Sequence, residues 1–599
     1  MIRCPRFFVA LLLALVSLAV CDARAQRSSL TAPLSAPVFL FSHDSGSMAA
    51  SAPENERQAT RELDELARLN KAGLRTEYDL MDASWFAPES GYRSLRSADW
   101  PSGPDAWLAK CRAAGIRPGM RIDGNAIPVL APSEQVPAAW KDSLGEDGRS
   151  LSLSEGGYLT DLVSALQSWY DRGVRLFELD SIDLAAATPA AATKMSASEV
   201  ATGNTAALRK ALQSFRDKNP EAVIIVSVDP GVHGNLPISS AASASSAEKS
   251  AARQGEWDQL GAFTLVSTGL PTRGAAPQAN LWRTIDIQSD ESVRRLEQSG
   301  VSLAQIESDG FTASGSADSG MHAWKGAFLL SMARGGWVNS IHGDLSLVEK
   351  DDARWMAHVQ HLFLTLREEG NIRSFGARAG TGQSYGFAAA NQRGSVYVVV
   401  NPGEATATLT LPAHGTGSPN HSEGRVQFSD AGFLPVLNGN AITLGPGQMA
   451  MVGYGAYASS SFNLGVQQDV IIPRSVEPVD ANFYSTESGT LVASFQPPID
   501  GVVRVVLRPR ASDSQASTEP GGIASGPDAG QAFTLDASQY GRPIPVRMES
   551  GSKNDHGVGW TVGEIDVNDL TPGVPLVVRF HADDTDTASL QANAYAVVY

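Results

Sequence analysis

Cysteine is nearly absent, with three residues in a chain of 599. That number cannot support a disulfide framework. Long apolar runs are confined to the first 25 residues, and no later run reaches the ~18 needed to span a bilayer. No G-x-G-x-x-G or G-x-x-x-x-G-K-S follows an apolar run, so the usual phosphate cradles are missing. There is no H-E-x-x-H and no Cys/His cluster, and the ten histidines are scattered, so no metal site is expected. Positive charge is in deficit: Lys+Arg 47 against Asp+Glu 64, net −17. Such a chain repels phosphate backbones and anionic lipid, so neither nucleic acid nor a membrane surface is an expected partner.

The residues that are present make a folded protein. Hydrophobic residues are 43% and charged residues 19%, which excludes a disordered, collagen-like or coiled-coil chain. The length gives a prior of about four domains, fewer if one is a barrel of ~250 residues. Arg3 and Arg6 precede an apolar run from Phe7 to Val20, and Ala23-Arg24-Ala25 is a small-x-small cleavage site. Residues 1–25 therefore read as a secretory signal peptide, and the mature protein is expected to be secreted or periplasmic, with no membrane partner. Leu18-Ala19-Val20-Cys21 is the competing lipobox; Val20 fits poorly before the cysteine, so cleavage after Ala25 is the expectation. That cleavage removes three arginines and one aspartate, moving the net charge from −17 to −19. It leaves Cys111 as the one thiol, at helical spacing from Trp107 and expected in the core.

From about residue 37 to 370, apolar runs alternate with amphipathic stretches. Strands are expected at Val38–Phe41, Tyr78–Met81, Ile116–Ile122, Val174–Asp180, Val223–Val226, Leu281–Ile287, Ala304–Phe311 and Trp337–Ile341. Helices are expected at 54–72, around Trp107 to Cys111, at 155–171 and around Leu208 to Phe215. Ala/Ser-rich stretches at 185–206 and 238–253 read as insertions in strand-to-helix connections. Eight alternating units indicate a (β/α)8 TIM barrel over residues 26–371. Beyond it, short strands between Pro/Gly turns predict an antiparallel β-sandwich domain at 372–458 and a further all-β accessory domain at 459–599.

A parallel barrel carries its chemistry at the C-terminal ends of its strands. The polar residues expected there are His43 and Asp44, Asp82 and Trp85, Arg121 and Asp123, Glu178, Asp180 and Asp183, Ser227 and Asp229, Arg283 and Asp286, and His342 and Asp344. An aspartate at a strand end often caps the next helix. Carboxylates converging from at least five strands are harder to explain as caps. Two carboxylates in different environments serve glycoside hydrolysis. Tryptophans such as Trp85 and Trp337 can pack on sugar-ring faces, although core packing is the commoner reason for an indole.

Three segments resemble the α-galactosidase clan, glycoside hydrolase families 27 and 36. Met81-Asp82-Ala83-Ser84-Trp85-Phe86 resembles the strand-two Asp-Asp-x-Trp, and Phe177-Glu178-Leu179-Asp180 falls where the clan has Lys-x-Asp. Trp282-Arg283-Thr284-Ile285-Asp286-Ile287 resembles Trp-Arg-x-x-x-Asp-Ile, one residue shorter. The resemblance runs through about residue 456 and implies a retaining glycoside hydrolase for an α-linked sugar, needing no cofactor, with an oligosaccharide or polysaccharide as its partner. It implies Asp180 as nucleophile and Asp286 as acid/base, with Asp82, Trp85, Arg121, Asp123, Glu178, Asp229, Arg283 and Trp337 binding substrate. Ala83 replaces the second aspartate of the strand-two pair, and Glu178 reverses the charge of the clan's lysine. A cation must then offset Glu178, and Arg121 on the neighbouring strand is the expected one. The competing readings are a noncatalytic carbohydrate-binding protein on the same barrel and a polysaccharide hydrolase using Glu178 or Asp183.

Overall fold

The computed structural model describes residues 38–42, 55–82, 85–125, 136–145, 147–148, 150–180, 182–227, 265–267, 306–313, 315–316, 320–321, 323–335, 338–369, 371–377, 383–403, 405–413, 423–486, 490–509, 534–548, 561–581 and 590–599. Eight parallel strands close into a barrel: β1 (Val38–Ser42), β2 (Tyr78–Met81), β3 (Arg117–Asp123), β4 (Leu176–Asp180), β5 (Val223–Ser227), β6 (Leu265–Ser267), β7 (Ile306–Ala313) and β8 (Val338–Gly343). Each strand pairs with its chain neighbours, and β8 closes on β1 through Val38↔Val338 and Leu40↔Ser340. Among the described residues, helices follow six of the strands: α1 (Glu56–Lys71), α2 (Asp105–Ala114), α3 (Tyr158–Asp171), α4 (Ala197–Lys218), α5 (Trp324–Ala333) and α6 (Lys350–Glu369). The connections on either side of β6 lie outside the described residues.

Local chemistry explains these helices. The Asn55 side chain accepts from Gln58 N–H at 3.1 Å to start α1, whose Ala59, Leu63, Leu66 and Leu69 are buried at helical spacing. Ser196 and Glu199 form a capping box that starts α4. This corrects the reading of 185–206 as an insertion, because residues 197–206 open a 22-residue helix. Ala and Ser make poor hydrophobic periodicity, but a sound cap and high alanine propensity suffice where Val200, Ala201 and Leu208 face the core.

The expected sixth strand also needs correcting. The ring is completed by Leu265–Ser267, and 281–287 lies outside the described residues. Three residues give no readable period, whereas 281–287 offered a longer apolar run.

Alternation along the strands splits the barrel into two environments. Phe39, Phe41, Met81, Met120, Ile122, Phe177 and Leu179 point outward into the core shared with the helices. Leu40, Tyr78, Leu80, Leu176, Val223 and Ile225 form a separate inner cluster, all at 2% exposure or less. That cluster fills the N-terminal part of the barrel. The residues of the same inward phase further along are Ser42, Arg121, Glu178 and Asp180. The barrel is therefore plugged with hydrocarbon at its base and polar at its C-terminal mouth.

A six-stranded sheet follows, in the order 371–376, 385–391, 394–400, 449–455, 425–431, 465–471. One face, with Phe387, Val396, Val398 and Met451, joins the core of α5 and α6. The other packs Tyr397, Val399, Val452 and Tyr454 against a three-stranded sheet carrying Ile442 and Leu444. The last strand, Gly465–Ile471, lies beyond the change of composition at 459. It pairs in parallel with 425–431, whereas the other described pairings of this sheet are antiparallel. The C-terminal region is two five-stranded sheets around their own core of Leu491, Phe495, Val503, Val505, Ile565, Val578 and Phe580. Among the described residues no helix is long and apolar enough to cross a membrane.

Candidate active site

Register fixes the mouth. Arg121 is the Cα partner of Glu178, and Asp123 of Asp180, across the β3–β4 pair. Glu178 and Asp180 are two apart on one strand and share its inward face. The Arg121 guanidinium sits between three groups. Its Nε is 3.4 Å from Glu178 Oε1, its Nη1 is 3.8 Å from Asp82 Oδ2, and its Nη2 donates to Ser42 Oγ at 3.0 Å. Glu178 is 3% exposed, and a buried carboxylate stays charged only beside a cation. Arg121 supplies that cation. One side chain thus ties β1, the end of β2, β3 and β4 together just inside the mouth, with Asp180 one layer nearer to solvent.

Other expected site residues are placed elsewhere. Trp85 is 0% exposed, its ring 4.8 Å from Trp100 and 6.3 Å from Trp107. This corrects its reading as a sugar platform. An indole buries a large apolar area, and here three of them build the layer behind the β2 connection. Asp183 accepts from the backbone N–H of Ala185 at 2.8 Å, closing an Asx turn in the loop after β4. Asp344 accepts from Ser346 N–H at 3.0 Å in the same manner. His342 is buried at 7% exposure, with Nε2 2.9 Å from Ser340 Oγ. Cys111 is buried, and burial first, then the Asp79 carboxylate, push its thiol pKa up, so it is unreactive packing. Asp229, Arg283, Asp286 and Trp337, with His43, Asp44 and Ala83, lie outside the described residues. Among the described residues no three His, Cys, Asp or Glu side chains gather to hold a metal ion.

Sequence reasoning missed Ser42, Gly124 and Asn125. Ser42 carried a usable signal, since it follows Phe41 in the inward phase of β1. Gly124-Asn125 directly after the β3 aspartate is also a loop signal, but its partners are 26 to 58 residues away.

No family model matches the sequence, and no curated protein matches it. Solved structures that resemble the fold include α-galactosidases of glycoside hydrolase family 36. The enzyme AgaA from Geobacillus stearothermophilus, in complex with 1-deoxygalactonojirimycin, aligns with TM-score 0.46 and 10% identity. The alignment covers 70% of this chain and 55% of that one. The α-galactosidase from Lactobacillus brevis aligns with TM-score 0.48 and 9% identity, over 70% and 55% of the two chains. The α-glucosyl transfer enzyme XgtA aligns with TM-score 0.39 and 14% identity, over 71% and 99%. This chain spans about half the length of the family 36 enzymes.

Proposed function

We propose that the protein is an exported retaining glycoside hydrolase acting on an α-linked sugar. The observation that carries this reading is Asp180, at the polar mouth of a closed parallel barrel above an ion pair that occupies Glu178. Asp180 attacks the anomeric carbon, and the bond to the leaving oxygen breaks. Asp286 donates its proton to that oxygen, giving a glycosyl-enzyme. Water then gives a proton back to the Asp286 carboxylate and displaces Asp180. Glu178, 3% exposed and held by Arg121, is sequestered from an incoming sugar. Asp183 is already used by Ala185 N–H, so neither rival carboxylate is as well placed as Asp180. Asp82, 22% exposed at its side chain, is the carboxylate available to a sugar hydroxyl.

We take residues 26–371 as the (β/α)8 barrel domain. The β-sandwich domain starts at 372 and, because Gly465–Ile471 belongs to its sheet, runs on past 458. The region after it is an accessory domain, and residues 1–25 are a signal peptide. The substrate in this reading is an oligosaccharide or polysaccharide; among proteins of similar fold, AgaA variants have been crystallised with raffinose and stachyose. A panel of nitrophenyl α-glycosides tests the reading. Turnover that is lost in Asp180→Asn, with a fluorosugar label on the peptide containing Asp180, supports it. A label on Glu178 or Asp183, or sugar binding without turnover, overturns it.

A further inference from the structure

We infer that Asn125 is a positioning residue for Asp180, an inference that rests on the nucleophile role proposed above. Asn125 lies just past β3, is 1% exposed, and uses every polar atom of its carboxamide. Its Oδ1 accepts from Asp183 N–H at 2.7 Å, and its Nδ2 donates to the backbone oxygens of Asp183 and Leu151, both at 2.7 Å. Its own carbonyl accepts from Leu151 N–H at 2.8 Å. The preceding peptide grips Asp180 itself, since Gly124 N–H donates to the Asp180 backbone oxygen at 2.5 Å. The Gly124 carbonyl oxygen is in turn held by the Tyr158 hydroxyl from α3. No larger residue fits at Gly124, where a Cβ would stand 2.6 Å from the Asp180 oxygen and run into Ile182. The backbone is therefore held at Asp180 by Gly124 and at Asp183 by Asn125. Asp180 is the last residue of β4 and still pairs with Asp123, so the Gly124 bond closes the β3–β4 ladder at the nucleophile and the Asn125 contacts hold the chain where that ladder ends.

The structure contains its own control. Asn204 on α4 is 0% exposed and joins the same two connections further from Asp180. Its Oδ1 accepts from Leu153 and Ser154 N–H at 3.1 and 3.0 Å, and its Nδ2 donates to the oxygens of Leu184 and Ala186 at 2.9 and 2.8 Å. Both asparagines staple the wall of the mouth, but only Asn125 adjoins the residues around Asp180. Asn125→Ala should lower kcat at least about tenfold with KM within about twofold, because misplacing a nucleophile costs rate more than binding. Asn204→Ala should lose similar thermal stability yet keep kcat within about threefold. Hydrogen exchange supplies a readout that needs no turnover. The amides of Gly124 and Asp183 should lose protection in Asn125→Ala and keep it in Asn204→Ala. Asn125→Ser carries the same comparison if the alanine variant does not fold. Equal kcat losses in the two variants, or unchanged protection of both amides, would overturn the positioning role. If the wild type turns over no glycoside, the hydrolase reading fails separately, and the exchange data alone decide whether Asn125 holds this segment.

Discussion

Arg121 is where single-residue chemistry bears hardest on the mouth. Its guanidinium offsets Glu178 at 3.4 Å and reaches Asp82 at 3.8 Å. Replacing it by Met leaves carboxylates stacked without a cation, and like charges resist joint ionisation. The acidic limb of the activity profile should then move to higher pH, by about one unit. Glu178→Gln alone removes a negative neighbour and should move that limb the other way. The double variant Arg121→Met, Glu178→Gln should return it close to the wild-type position. A limb that does not move in Arg121→Met would show that Arg121 acts by packing alone. The partnership was legible from the sequence, because strand ends in one register bring charges together. The third partner, Ser42, was not singled out, because a serine at a strand end is unremarkable until a guanidinium points at it.

At the level of elements, the N-terminus of α5 is held by the β-sandwich domain. Ala323 N–H donates to Asp469 Oδ2 at 2.7 Å and Gly326 N–H to Gln467 Oε1 at 3.1 Å, both from strand 465–471. Asp469 thus caps a helix from across a domain boundary, where the N-cap residue itself is an alanine with φ +54°. Asp469→Ala should cost about 1 kcal/mol in thermal or denaturant unfolding. Beneath it, Asp430 accepts from Gln467 Nε2 at 2.9 Å and Met449 N–H at 3.0 Å. Burial pushes its pKa up to about 7, with the Asp469 charge adding to the rise against those two hydrogen bonds. A carboxyl group whose folded pKa is raised favours the native state below its ordinary pKa, 3.8, and loses that contribution as pH rises through about 7. Asp430→Asn cannot ionise, so its Tm should vary less between pH 5 and 8 than the wild type's. The variant should look worst at pH 5, where the native carboxyl is protonated, and gain relative to wild type by pH 8. A Tm difference that does not change with pH would contradict this.

For the whole molecule, the shared core makes the barrel and the β-sandwich domain one stability problem. Phe387, Val396, Val398 and Met451 pack with α5 and α6, and Trp355 Nε1 donates to the Leu464 oxygen at 2.9 Å. A chain cut after Ala458 loses strand 465–471 with its Gln467 and Asp469, and should unfold at lower temperature or aggregate. A chain cut after Pro473 keeps both and drops only the separately cored C-terminal sandwich. It should retain wild-type-like unfolding of the remaining domains and activity on small aryl glycosides. Equal stability of the two truncations would show that the 465–471 strand is dispensable.

The sequence by itself determined the alternation of strands and helices, the polar strand ends and the all-β character of the chain after about residue 372. These features follow from local periodicity and composition, which each segment carries independently of its neighbours. Tertiary structure decided the rest. Leu265–Ser267 is a barrel strand because β5 and β7 lie on either side of it, not because three residues encode one. Trp85 faces Trp100 and Trp107 because the β2 connection folds back over α2, which no spacing along the chain records. Asn125 finds Asp183 and Leu151, and Asp469 finds α5, because side-chain polar groups buried by packing must be satisfied by whatever lies opposite. Those partners are distant in the chain and become neighbours only when the barrel closes.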